Sequence, residues 1–265
     1  MATEKRKILI ALTPSESKRL IAKGVTQLEE VQRALKQGII IITLGTTNAY
    51  IAEEILKDVP GSDKKIDRRR YAAGIVTERG TCVVPKEERE KEVILKNGKM
   101  SAEGIEKAIE NLSAGDVFIK GANALDATGT AGIYMAHRSG GTIGSALGTV
   151  MARGVHFIIP IGIEKTIPYS IKEAAKHVGI EAFYHSVGLP VGLMPVHGKI
   201  ITEIDALKIL GAEDAFPIGA GGVDGGEGSV VLCVEGSVEK LDELMSLVMQ
   251  IKGEAPVTVV SKKCD

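Results

Sequence analysis

Residues 39–44, Ile-Ile-Ile-Ile-Thr-Leu, most narrowly limit what this chain can become. Side chains branched at Cβ lose rotamer freedom in a helix and suit a pleated sheet. Their apolarity is continuous rather than alternating, so both faces of the segment must be buried. That describes a central parallel strand covered by helices on two sides. The run stops at Gly45-Thr46-Thr47-Asn48, and helical spacing resumes over residues 49–56. The local unit is therefore strand, glycine turn, helix.

The same unit recurs. Asp116-Val117-Phe118-Ile119-Lys120 meets Gly121, and Val155 to Ile161 meets Gly162. Helices are expected from Ser15, read as an N-cap, and from Thr26 to Lys36, where Glu29 completes a capping-box pattern. Further helices are expected over 105–112, 140–152 and 171–178, and short strands over 72–76 and 81–84. Residues 86–99 are dense in charge and are expected to form a surface excursion. The fold class expected for residues 1–187 is α/β, a largely parallel Rossmann-like sheet with helices on both faces. Residues 188–265 have another rhythm, with strands at 191–196, 214–219, 229–235 and 257–260 and helices at 202–210 and 238–251. That β-α-β-β-α-β order predicts a C-terminal ferredoxin-like α+β domain.

Composition narrows function. With 33 Lys+Arg against 34 Asp+Glu, the net charge is -1, which argues against a nucleic-acid or anionic-membrane footprint. The apolar stretch Ile8 to Leu12 is too short for a signal or a membrane span, so the cytoplasm is expected. Cys82 and Cys233 lie in apolar runs and read as buried small hydrophobes, Cys264 as inert, with no disulfide framework. No histidine pair has metal-ligand spacing, and neither a metal nor a cofactor is expected.

The 31 glycines, about 12% of the chain against a usual ~7%, point to the chemistry. Open α/β sheets bind ligands beyond the carboxyl ends of their strands. Gly45, Thr46, Thr47 and Asn48 offer amides, hydroxyls and a helix start to an anion. Gly121 and Asn123 follow a second strand, with Lys120 and Asp126 as charged groups beside them. Gly140, Gly141, Thr142, Gly144 and Ser145 open a helix behind His137, and glycines there let backbone approach a ligand closely. Glu164 and Lys165 follow the strand at 155–161. Asp126, Lys120, Glu164 and Lys165 are the candidate acid/base groups. Each loop also has a purely structural reading, as an ordinary turn, an Asx cap, a close helix contact or a surface pair. The glycine cluster at 219–228 reads as a mobile or interfacial hairpin, or as a plain surface loop.

The order of these loops resembles the superfamily of ribose-5-phosphate isomerase, glucosamine-6-phosphate deaminase, coenzyme A transferases and the sugar-binding domains of some bacterial repressors. Gly45-Thr46-Thr47 is similar to that group's phosphate loop, and Gly121-Ala122-Asn123-Ala124-Leu125-Asp126 to the isomerase's Gly-Ala-Asp-Glu-Val-Asp. Asn123 and Ala124 stand where the isomerase has acids; Asp126 keeps its acid. Gly140-Gly141-Thr142 and Glu164-Lys165 are similar in place to later elements of that group. The resemblance implies an enzyme on a phosphorylated small metabolite or a coenzyme A-type substrate, isomerase-like or transferase-like. A non-catalytic sensor of such a metabolite and an oligomeric assembly component are the alternatives. A homo-oligomer that binds an anionic small molecule is expected in the first two cases.

Overall fold

The computed structural model describes residues 5–265. In chain order the elements begin with β1 (Lys5–Leu12), α1 (Pro14–Thr26), α2 (Glu29–Lys36), β2 (Ile39–Ile42) and α3 (Thr46–Lys57). Then come β3 (Gly74–Thr77), β4 (Gly80–Val83), β5 (Val93–Lys96), β6 (Lys99–Met100), α4 (Ile105–Glu110), β7 (Val117–Ile119), β8 (Ala124–Leu125) and β9 (Ala131–Met135). After these run α5 (Gly141–Arg153), β10 (His156–Pro160), α6 (Ile171–Ala175), β11 (Gly192–Val196) and β12 (Lys199–Ile201). The chain closes with α7 (Glu203–Ile209), β13 (Asp214–Gly221), β14 (Ser229–Ser237) and α8 (Val238–Ile251).

The central sheet has the order β12-β10-β7-β2-β5-β6. Its first four strands are parallel, and β5 and β6 extend it antiparallel. The isoleucine run sits in the middle, as its two-sided apolarity requires. Ile40 and Ile42 pack in one core with Ile21 and Val25 of α1, Val31 of α2 and Ile51 and Ile55 of α3. Ile41 points the other way, into a second core with Phe118, Ile159, Ile109 of α4 and Ile143 and Val150 of α5. Helices thus cover both faces of the sheet.

The smaller β+α unit near the C-terminus is a three-stranded antiparallel sheet, β1-β14-β13, over α7 and α8. Residues 257–260 carry no strand, and β11 pairs outside the unit with β9, so the third strand is β1. Strand pairing therefore crosses residue 187 in both directions: β1 joins late strands, and β12 joins the central sheet. Helix α1 serves both parts, with Leu20 in the third core and Ile21 in the first.

Four local expectations are corrected. The α1 cap is Thr13 rather than Ser15: its Oγ1 accepts from the Glu16 amide and its own amide donates to Glu16 Oε2 at 2.9 Å. Pro14 then occupies the first helical turn, where its missing N–H costs nothing. Thr26 does not cap α2, because its hydroxyl donates back to the Lys23 carbonyl at 2.8 Å. Residues 86–99 are not only an excursion: Val93, Ile94 and Leu95 are buried in β5 beside β2. Cys82 and Cys264 form a disulfide. The tail reaches β4 by strand-like pairing, Val83 and Lys263 exchanging two backbone hydrogen bonds of 2.8 Å.

Candidate functional site

Four parallel strands end along one edge, and the residues just past them are unusually polar for their burial. Past β2, Thr43 Oγ1 donates to the Ile119 carbonyl at 3.0 Å. Asn48, fully buried in the first turn of α3, donates Nδ2 to the Thr43 carbonyl at 2.9 Å. Its Oδ1 is buried without a partner. That oxygen faces the glycine after β7: a Cβ on Gly121 would lie 3.6 Å from it. Gly45 caps α3 with no side-chain hydrogen bond, so the first-turn amides of Thr46, Thr47 and Asn48 line the same edge.

Charged groups gather beside them. Lys120 is the first residue past β7, and its amide donates to the Ile158 carbonyl of β10 at 3.1 Å. Lys165, in the turn past β10, donates Nζ to the Ala122 carbonyl at 3.1 Å. Glu164 places Oε1 3.6 Å from Lys18 Nζ, and Lys18 also donates to the Pro14 carbonyl at 3.0 Å. Glu164 Oε2 is buried without a partner. The Glu164 carboxylate lies over Gly162, where any Cβ would overlap it. Past β12, Glu203 is fully buried; Oε2 accepts from the Ile163 amide at 2.9 Å, and Oε1 has no partner.

The electrostatics follow from this crowding. Burial lowers the Lys120 amine to about 8, and neighbouring Lys165 adds to the effect. Burial also lowers Lys165; Glu164 opposes this and Lys18 reinforces it. Burial raises the Glu203 carboxyl to about 7, and the like charge of Glu164 contributes. Groups that titrate near neutrality are equipped to take and return protons.

A second ionic network nearby shows what a purely structural cluster looks like. Arg19 binds Glu53 and Glu54 at 2.6 Å each and Glu254 at 2.9 Å, and Arg68 binds Glu254 at 2.6 Å. Both guanidinium groups stack on Tyr50, 4.6 and 4.7 Å from its ring centroid. Ion pairing this close satisfies the charges, although the Tyr50 hydroxyl beneath them is buried without a partner. The Lys18–Lys120–Glu164–Lys165–Glu203 group leaves polar atoms open instead.

The residues expected from sequence divide into three sets. Gly45, Thr46, Thr47, Asn48, Lys120, Gly121, Glu164 and Lys165 come together at the strand ends. Asp126 and Asn123 serve the backbone. Asp126 Oδ1 accepts from Thr128 N, Thr128 Oγ1 and Thr130 N at 2.9, 2.7 and 3.0 Å, and Oδ2 from Ile171 N at 3.0 Å. Asn123 Oδ1 accepts from the Tyr134 amide at 3.0 Å inside the β8–β9 hairpin. The third set bonds within itself: His137 Nδ1 contacts Ser139 Oγ at 2.8 Å, and Ser145 Oγ donates to the Thr142 carbonyl at 3.1 Å. No hydrogen bond among the described residues joins this loop to the charged group. Gly140 and Gly141 have φ of 79° and 60°, and a Cβ on Gly144 would strike the Ser139 carbonyl, so these glycines serve the tight entry into α5.

Sequence reasoning missed Lys18 and Glu203. Lys18 belongs to a charged run that reads as a helix surface, and Glu203 to a capped helix start. The available signal for Glu203 was its position directly after the apolar strand at 199–201. The glycine hairpin at 219–228 reaches this region as well: a Cβ on Gly228 would lie 3.0 Å from Pro14 Cγ. Two surface concavities, one at Arg138 and 179–182 and one around Gln32, Pro60 and Gly98, share no residue with the charged group. Among the described residues no three His, Cys, Asp or Glu side chains are grouped to hold a metal. Among the same residues no helix is long and apolar enough to cross a membrane. Comparison with known protein families, with curated proteins and with solved structures finds no match to this chain.

Proposed function

We propose that this protein is an enzyme that binds a small phosphorylated or similarly anionic metabolite at the carboxyl edge of its parallel sheet and transfers protons on it. One observation carries this: three lysines and two glutamates from four separate segments converge there with buried oxygens of Asn48, Glu164 and Glu203 left open. Unpartnered buried polar atoms destabilise a fold by roughly 1–3 kcal/mol each, and three of the six among the described residues lie along this edge. The anion would sit against the amides of Thr46, Thr47 and Asn48, with Lys120 and Lys165 for charge. Glu164 and Glu203 would exchange protons with the substrate. Asp126, the acid shared with the isomerase-like segment, takes no part, so any isomerase-like or transferase-like chemistry runs through different carboxyl groups.

The test is identification of the ligand by native mass spectrometry, followed by thermal shift with a panel of phosphorylated metabolites and coenzyme A derivatives. Gly162→Ala is the informative variant, because the atoms its Cβ would meet first all belong to the Glu164 carboxylate. Binding is expected to survive and turnover to fall at least ~10-fold, the lower end for loss of an acid/base group being ~10². Binding without turnover of any panel member would make the protein a sensor instead. Absence of any anion-induced shift would remove both roles.

A further inference from the structure

We infer that the outer face of the β1-β14-β13 sheet is the contact surface of a symmetric dimer, and that a second copy of this chain sits on it. Two of the strands ask for a cover on both sides. Residues 8–12, Ile-Leu-Ile-Ala-Leu, and 230–234, Val-Val-Leu-Cys-Val, are continuously apolar. That is the pattern of a strand buried on both faces, whereas a sheet with one face in water alternates apolar with polar. Within the chain only one face is covered. Ile8, Ile10, Leu12, Val230, Leu232 and Val234 pack in the third core with α7 and α8. Their alternates point the other way and belong to none of the three cores.

The strand register gathers these alternates into a patch. Leu9, Cys233 and Phe216 stand side by side in one row, and Ala11, Val231 and Gly219 in the next. Leu9 is 63% exposed, Phe216 37% and Ile218, at the irregularity after Pro217, 57%. Large apolar side chains grouped on adjacent strands mark an interaction surface, where scattered ones would not. The row on the other side of Leu9 is charged: Lys7 on one edge strand, Glu235 in the middle and Asp214 on the other edge. Lys7 Nζ binds Glu235 at 2.8 Å, and Asp214 binds Lys208 through Oδ1 at 2.7 Å. The Lys7 and Asp214 side chains stay 66% and 53% exposed, so each can take a further partner.

This arrangement is complementary to itself. A twofold axis parallel to β14, midway between two stacked faces, keeps every row in place and exchanges the edge strands. Lys7 of each copy then faces Asp214 of the other, Leu9 faces Phe216, and Cys233 meets its own counterpart beside the axis. Aligned sheets of this kind stack about 10 Å apart with their side chains interdigitated. A partner of one charge sign would attract one edge and repel the other; a second copy attracts both. Glu235 also meets its counterpart, but each is neutralised by its own Lys7. Three strands present a small face, which places the dimer among the weaker associations, those burying less than about 1,200 Å².

Sedimentation of the full chain is expected to show a monomer–dimer equilibrium from micromolar to submillimolar concentration. A short bis-maleimide is expected to join two chains through Cys233, the free cysteine. Phe216→Asp is expected to weaken association at least ~10-fold and to abolish that crosslink. Lys7→Glu and Asp214→Lys each set like charges against each other twice, and each is expected to weaken association ~5-fold. An equimolar mixture of these two variants is expected to recover it, because opposite charges then meet at both edges. A mixture that associates no better than either variant alone overturns the twofold arrangement. A chain that stays monomeric up to ~0.5 mM overturns the dimer. A dimer that Phe216→Asp leaves intact and Cys233 does not crosslink lies on another surface and overturns this one. The anion site shares no residue with this face, so each of these outcomes leaves the proposed function as it stands.

Discussion

Replacing Asp126 with asparagine separates a structural carboxylate from a catalytic one. Its two oxygens accept four hydrogen bonds, three from Thr128 and Thr130 and one from Ile171, which joins the β8–β9 turn to the start of α6. Burial opposes its charge, but the Thr128 hydroxyl and the amides outweigh it, and the carboxyl falls from 3.8 to about 2. A drop of nearly two pKa units corresponds to roughly 2.5 kcal/mol of stability at neutral pH, as an upper figure. Asparagine keeps the shape but presents N–H groups to at least one of these donors. The expected loss is about 1.5–2.5 kcal/mol, or roughly 3–10 °C in Tm for a chain of this size. The sign with pH is fixed. The folded pKa is depressed, so the stabilisation is complete well above the unfolded value near 3.9 and disappears as pH falls through about 2. About half of the wild-type advantage should be gone at pH 3. Urea unfolding of both proteins at pH 7 and pH 3 measures this directly. Equal stability at pH 7, a gap that widens toward low pH, or lost turnover in a variant of undiminished stability would refute the structural assignment.

Glu203→Gln should behave oppositely. Its folded pKa is raised to about 7, so wild-type stability declines as pH rises from the unfolded value near 4.5 through 7. The glutamine variant should gain on wild type over that window and match it below pH 4, as followed by Tm against pH. Cys264→Ser should lower stability by about 2–5 kcal/mol, with the same loss in wild type on reduction; identical denaturation curves with and without reductant would contradict the bond. Gly24→Ala places a Cβ 2.7 Å from Ala206 Cβ and 2.8 Å from Ala206 Cα, where α1 crosses α7. Overpacking should cost about 1–3 kcal/mol despite a better helix former, and a stabilised variant in chemical denaturation would show that the helices part easily.

What the sequence discloses depends on how local the cause is. The isoleucines at 39–42 need burial on both sides wherever they are placed, so the central strand and its covering helices are legible from six residues. Val93-Ile94-Leu95 obeys the same rule, but charge on both flanks hides so short a run. The Cys82–Cys264 bond spans 182 residues and the β1–β14 pairing more than 200, and no local pattern encodes either. The site divides in the same way. Gly45–Asn48, Lys120 and Glu164-Lys165 are marked by apolar strands that end in glycine or charge. Lys18 and Glu203 join them only because α1 and α7 pack together, a fact of topology. The 137–145 loop shows the converse: a glycine pattern suited to an anion also suits a tight helix entry, and here the backbone contacts decide.

The position of β1 also governs how the chain is made. Among the described residues its strand partner is β14 alone, so residues 5–12 leave the ribosome well before the strand they pair with. At about 5–20 residues per second, roughly 10–45 s pass before residues 229–237 emerge. Through that interval Ile8, Ile10 and Leu12, with Leu20 on the adjoining helix, stay uncovered while the central sheet has all of its own strands by residue 201. Synthesis therefore proceeds with one apolar seam open from the emergence of β1 until that of β14, and a chain arrested between the two exposes that seam.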